Sequence, residues 1–176
     1  GGANHLKIIV ETLRSLCPKT TIELLTSDFS GDRDAWDTVI SIEPEVFNYN
    51  IETVRRLTPR VRHKATYDRT LRFLHYFKEH KKAKTLFIKS GLMLGLGEER
   101  SEVEETLRDL KKAGCDIVTI GQYLQPTNQK LLVKAFIHPS EFEAYTAFGK
   151  EIDLNVFAGP FVRSSYNANL LMKPKI

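Results

Sequence analysis

Cysteine is nearly missing from this chain: two residues in 176, Cys17 and Cys115, stand about a hundred positions apart. That spacing offers no metal-ligand pair and no disulfide framework of the kind small secreted domains use. Cys17 falls at an expected helix end and Cys115 just ahead of an expected strand, so both read as buried structural thiols in a reducing compartment. Long apolar runs are missing too. None approaches the roughly 20 residues that a membrane-spanning helix requires, which removes the membrane reading. No methionine precedes Gly1, and no basic-then-apolar leader follows it. The start reads as a cut inside a longer chain or an artificial boundary. A Walker phosphate loop is absent, because no Gly-Lys-Ser/Thr follows the glycines, and so is a Gly-x-Gly-x-x-Gly dinucleotide fingerprint. His5, His63, His75, His80 and His138 are scattered, and the two on one expected helix lack the i, i+4 spacing of a zinc pair, so all five read as non-ligands.

What is present is ordinary for a globular protein: 41% hydrophobic and 27% charged residues, enough chain for one domain over 1–176 with a sizeable core. The net charge of +4 suits an acidic protein partner by steering. Nucleic acid is not expected, because no basic run is interleaved with aromatics. The densest cluster, Lys78 to Lys84, sits at a helix end, where cations suit the dipole.

Helical and extended patterns alternate along the chain. Leu6, Ile9, Leu13 and Leu16 recur at helical spacing from Asn4 to Cys17, and Pro18 stops that helix. Thr21 to Thr26 reads as a strand, Asp32 to Ile40 as a short helix, and Glu45 to Asn48 as a short strand. Tyr67 to His80 is helical, and Lys84 to Met93 holds a strand whose apolar run suits burial on both faces. Ser101 to Ala113 is the clearest helix. Ser101 and Glu104 form a capping box, Val103, Leu107 and Leu110 form the buried stripe, and Gly114 marks the stop. Asp116 to Gly121 is the fourth strand, Pro139 opens a helix to Glu151, and the tail 152–176 is irregular or weakly extended from Asn155. Four strands with helices between them imply right-handed βαβ units and an α/β fold with a parallel sheet, either a small open sheet or an arc of a barrel. Both place a ligand at the strand carboxyl ends.

The segments after the strands are polar or glycine-rich. They are Phe47-Asn48-Tyr49-Asn50-Ile51-Glu52, then Lys89-Ser90-Gly91-Leu92-Met93-Leu94-Gly95-Leu96-Gly97-Glu98, then Gly121-Gln122-Tyr123-Leu124-Gln125-Pro126-Thr127. Any one alone is turn chemistry; three at one rim point to a site. The glycines permit close backbone approach to a flat ligand. No elbow motif surrounds Ser164 or Ser165, so a hydrolase triad is not offered.

These segments, with Gly1-Gly2-Ala3-Asn4-His5 and Gly159-Pro160-Phe161-Val162-Arg163-Ser164-Ser165-Tyr166, resemble the lipoyl synthase family of the radical S-adenosylmethionine superfamily. The match runs in order through nearly the whole chain. Gln-Tyr-Leu-Gln-Pro and Gly-Pro-Phe-Val-Arg-Ser-Ser-Tyr are its most specific parts. The resemblance implies a partial (β/α)6 TIM-type barrel and insertion of two sulfur atoms at C6 and C8 of a protein-bound octanoyl-lysine. It implies two 4Fe–4S clusters as cofactors: one cleaves S-adenosylmethionine reductively, and an auxiliary one donates the sulfur. Ser165, in the Arg-Ser-Ser-Tyr motif, corresponds to a serine oxygen that ligates the auxiliary cluster, and Arg163 offsets its charge. Gly2, Asn48, Asn50, Glu52, Ser90, Gly91, Gly95, Gln122 and Leu124 are the expected contacts to S-adenosylmethionine. Implied partners are octanoylated carrier domains (the glycine cleavage H protein and the lipoyl domains of 2-oxoacid dehydrogenases), an electron donor such as ferredoxin or flavodoxin, and iron–sulfur carrier proteins. The compartment would be the cytoplasm in a bacterium, or the mitochondrion or plastid in a eukaryote. The family's cysteine motifs and two of its barrel strands are not in this sequence, so these residues alone are expected to be inactive. His138 replaces the family's usual Ser or Thr cap ahead of Pro139, which should weaken that cap. The rival expectations are another radical S-adenosylmethionine sulfur-inserting enzyme and a non-catalytic α/β binding module.

Overall fold

The computed structural model describes residues 2–85 and 87–165. The elements run α1 Ala3–Leu16, β1 Glu23–Leu25, α2 Arg33–Ser41, β2 Val46–Asn48, α3 Thr58–Val61, α4 Tyr67–His80, β3 Phe87–Leu94, α5 Arg100–Lys112, β4 Ile117–Gln122, α6 Pro139–Glu151 and β5 Asn155–Ala158. All neighbouring strands pair in parallel, in the spatial order β1-β2-β3-β4-β5. A doubly wound sheet reverses its strand order at a switch point, and this sheet does not. With right-handed crossovers throughout, every connecting helix lies on one face, and the twisted sheet curls as an arc of a barrel.

Side chains alternate between the two faces of each strand. Phe47 marks the helix side: its ring stacks on Phe77 of α4 at 3.6 Å and meets Phe73 edge-on at 5.3 Å. Leu24 and Ile88 stand level with it and share that face. All three are buried, and packing of this kind supplies roughly 1.5–3 kcal/mol per large side chain. The concave face is different. There Lys89, fully buried, places its Nζ 3.0 and 3.1 Å from the two oxygens of Glu23, and Asn48 Nδ2 donates to the same carboxylate at 2.8 Å.

Four expectations are corrected. The tail carries a fifth strand from Asn155: β4 would otherwise end the sheet unpaired, and Asn155 N and Gly159 N donate to Asp116 O and Ile120 O. Helix α5 begins at Arg100, one residue before Ser101. Its box is Glu99 with Glu102, whose carboxylate accepts from Glu99 N at 2.8 Å, while Glu104 pairs with Arg100. Cys17 is exposed because the end of α1 projects from the sheet, with Leu16 74% exposed beside it. Cys115 is buried as expected, and burial pushes its thiol pKa up. His138 does cap α6, its Nδ1 accepting from Ser140 N at 3.3 Å, so the ring nitrogen takes over the role of a hydroxyl.

Between β4 and α6 the chain runs without regular structure, yet it is fastened. Gln122 Nε2 donates to Tyr123 O at 3.0 Å and Ala135 O at 3.1 Å, and its Oε1 accepts from Ile137 N at 2.9 Å. Gly95 carbonyl accepts from Lys134 N at 2.7 Å. Gly95 has φ +107°, and a Cβ there would lie 2.3 Å from Gln122 Nε2. Only glycine therefore lets the turn meet this amide.

Two outcomes follow. Lys89→Ala leaves Glu23 without its cation and should cost on the order of 3 kcal/mol in urea unfolding; the pair has no structural weight if the midpoint stays put. Gln122→Leu should abolish hydrogen-exchange protection at residues 134–137 and spare α5; unchanged protection at 134–137 rules out the fastening role.

Candidate functional site

A cavity of about 430 Å³ opens at the carboxyl ends of β3 and β4, within reach of the segment after β2 and the segment after β5. Its floor comes from register. Gly91 on β3 stands level with Thr119 on β4. After β2 the chain continues alongside β3: Tyr49 N donates to Lys89 O at 3.1 Å, Glu52 N to Gly91 O at 2.9 Å, and Met93 N to Glu52 O at 2.9 Å. This brings Asn50, Gly91 and Thr119 together. A Cβ on Gly91 would sit 2.7 Å from Thr119 Oγ1 and 3.0 Å from Asn50 Oδ1, so the glycine keeps the floor open. Asn50 Oδ1 is buried with no hydrogen-bond partner, a position worth about 1–3 kcal/mol of lost solvation unless a ligand donor reaches it.

Glu52 shares the wall. Its φ is +69°, a left-handed conformation that costs a non-glycine residue about 1 kcal/mol. Burial raises its carboxyl pKa above the ordinary value, with Arg62 and the Asn50 amide opposing the rise. A second lobe of about 390 Å³ adjoins the first through Asn50 and Glu52, and Arg62 and Tyr49 face it. The Arg62 guanidinium donates to Tyr49 Oη and to the Asn50 carbonyl. The two lobes thus hold a carboxylate, a guanidinium and an unpaired amide oxygen within one cleft.

Of the residues expected from sequence, Asn50, Glu52, Gly91, Gln122, Leu124 and Arg163 line the first lobe. Asn48 lies one layer deeper, its amide donated to Glu23. Ser90 points to the opposite face, where its Oγ accepts from Ile51 N at 3.1 Å, as strand alternation requires. Gly95 buttresses Gln122. Gly2 is exposed at the start of α1, in the left-handed conformation, and is not among the lining residues. Ser164 lines the cavity and Ser165 is exposed just beyond it, while Gly1 and Tyr166 fall outside the described residues. Arg163 Nη1 donates to Val162 O at 2.7 Å.

Thr119 and Arg62 were not legible. Thr119 sits in an apolar strand, where only its pairing with Gly91 reveals it; Arg62 follows in an irregular loop with no motif. Among the described residues, no group of three or more His, Cys, Asp or Glu side chains is arranged to hold a metal ion. No helix among them is long and apolar enough to cross a membrane.

Comparison with known proteins places this geometry. The lipoyl synthase of Protochlamydia amoebophila is 57% identical over 173 residues, which is 98% of this chain and 54% of that protein. The lipoyl synthase of Chlamydia caviae is 48% identical over 172 residues, again 98% of this chain and 54% of its own length. The chain therefore spans about half the length of the curated relatives it matches. Among solved structures, methylornithine synthase superposes with a TM-score of 0.65 at 12% identity, covering 95% of this chain and 57% of that one. Streptococcus suis SuiB gives 0.63 at 13% identity, covering 85% and 34%. At that identity the likeness concerns the fold alone. The sequence profile of the Radical SAM superfamily matches residues 3–110, more than half of the chain, and the chain belongs to that superfamily.

Proposed function

We propose that this chain is part of a lipoyl synthase, with the two-lobed cleft as its S-adenosylmethionine site. Membership of the superfamily implies S-adenosylmethionine and an iron–sulfur cluster as cofactors. The observation that carries the finer reading is the 57% identity to a lipoyl synthase across 98% of the chain, cavity walls included.

The cleft fits the sulfonium cofactor by its donor set. S-adenosylmethionine pairs a nucleoside with a zwitterionic amino acid. Asn50 Oδ1 is an unpaired acceptor for a hydroxyl or amine of the ligand, and the open space above Gly91 admits a flat ring or sugar face. Arg62 and Glu52, of opposite charge on one cleft, suit the carboxylate and the amine of the amino-acid end. Leu124 and Met93 supply the apolar wall that covers the ligand.

An iron–sulfur cluster does not fit the cysteines present. Cys115 precedes β4, at the end of the strand remote from the cavity, and Cys17 is exposed at the end of α1. Ser165, exposed at the rim, is the one candidate ligand, and it rests on the Arg-Ser-Ser-Tyr motif. No step is therefore routed through a cluster here. The second auxiliary cluster, the octanoylated carrier domains, the ferredoxin or flavodoxin donor, the iron–sulfur carrier proteins and a cytoplasmic site of action in a bacterium all belong to the same proposal.

The test uses the protein at its full natural length, loaded with iron and sulfide and given a reductant, S-adenosylmethionine and an octanoyl-lysine peptide. The peptide mass should rise by two sulfur atoms. Cleavage of S-adenosylmethionine with the octanoyl chain left intact would assign the chain to a different superfamily activity.

Glu52 offers a pH test. Because its folded pKa is raised, its cost to stability is absent below the unfolded pKa, grows as pH rises through that value, and is complete above the folded pKa. Glu52→Gln should therefore raise the thermal midpoint at pH 8 and leave it nearly unchanged at pH 3.5, while weakening S-adenosylmethionine binding. A midpoint equally shifted at both pH values would contradict the assignment.

A further inference from the structure

Two segments wall the cavity mouth beyond the strand ends, 121–138 and 154–165. Together they contain Lys130, Lys134 and Arg163 and not one aspartate or glutamate, although the chain as a whole has 22. The segment after β4 alternates. Leu131, Val133 and Ile137 pack against the core. Leu132 and Phe136 point outward, 67% and 77% exposed, with the exposed Lys134 between them. On the other flank of β4, Phe161 is 85% exposed beside Val162 and Arg163, which close over Gly121.

This exposure belongs to a fastened segment. Beyond the Gln122 bonds, Tyr123 Oη donates to Leu131 O at 2.9 Å and Gln125 Nε2 to Lys130 O at 3.0 Å. Large apolar side chains held out to water on a preorganised backbone, interspersed with cations alone, are what an interface presents before its partner arrives. The basic balance selects an acidic partner, since like-signed surfaces repel and opposite-signed ones are steered together.

We propose that this rim, centred on Leu132, Lys134 and Phe136 and flanked by Lys130, Phe161 and Arg163, is the docking face for an acidic protein that presents its acyl-lysine to the cavity. The inference rests on the lipoyl synthase reading and adds to it the surface by which a protein-borne substrate is distinguished from a free peptide. The inner side of the same segment, Leu124 to Pro126, lines the cavity. A protein seated outside is therefore adjacent to the entrance its side chain must use.

The experiment compares two probes on the full-length protein: an octanoylated carrier domain of net negative charge and an uncharged octanoyl-lysine heptapeptide. Fluorescence anisotropy should show that Lys130→Glu with Lys134→Glu weakens carrier-domain binding at least tenfold and flattens its salt dependence. Leu132→Ser with Phe136→Ser should weaken binding without changing the salt slope. Turnover of the heptapeptide should stay at the wild-type level in both, which also reports an intact fold. Wild-type carrier binding in both double variants, or an equal fall for both probes, overturns the docking face. Carrier binding that responds to the charge reversal while neither probe gains sulfur keeps the docking face and sinks the lipoyl synthase reading instead.

Discussion

Side chains at one level on adjacent parallel strands share one face, and the open end of this molecule is built on that constraint. The register sets Gly91 beside Thr119, and the hydrogen bonds of the segment after β2 bring Asn50 to the same level. One layer below, it sets Asn48 beside Lys89, where both meet Glu23. The deeper layer pairs its polar atoms with one another, apart from Asn48 Oδ1; the upper layer leaves Asn50 Oδ1 unsatisfied. A slip of one residue would turn Gly91 toward the helices and Ser90 into the cavity, so the ion pair below and the cleft above stand or fall with the same pairing.

Site construction here is largely a matter of what glycine leaves out. At Gly91 the missing Cβ keeps the floor open; at Gly95 it lets the turn close on the Gln122 amide. That amide spends its hydrogen bonds on the chain itself, so its part in the site is to hold Leu124, Gln125 and Pro126 in place as a wall. Strain is confined to the same region: Glu52 keeps a left-handed backbone at the point where its carboxylate enters the cleft. Stored strain and an unpaired acceptor together are the signature of a site prepared for a ligand.

Opposite charges are distributed unequally over this chain. Acidic residues cluster in the helices, where Glu104 bridges Arg100 and Arg108 and Glu102 pairs with Arg56. The walls of the cavity mouth have none. The net charge of +4 thus understates how basic the functional end is.

Alternating helix and strand patterns were enough to determine a parallel α/β fold, because apolar spacing is a local property and each long element carries its own. The polar segments after β2, β3 and β4 were legible for the same reason, and six of their residues, or of the tail motif's, do line the cavity. Local pattern could not separate Asn50 from Asn48, or Gly91 from Ser90, since which face a residue joins depends on pairing with a strand forty residues away. Nor could it find Arg62 and Thr119, which become neighbours of the cleft only through the barrel's curl. The fifth strand, the choice of barrel arc over open sheet, and the depth at which each polar side chain sits were decided by tertiary structure, because hydrogen-bond register between distant strands is a property of the assembled sheet and of no segment within it.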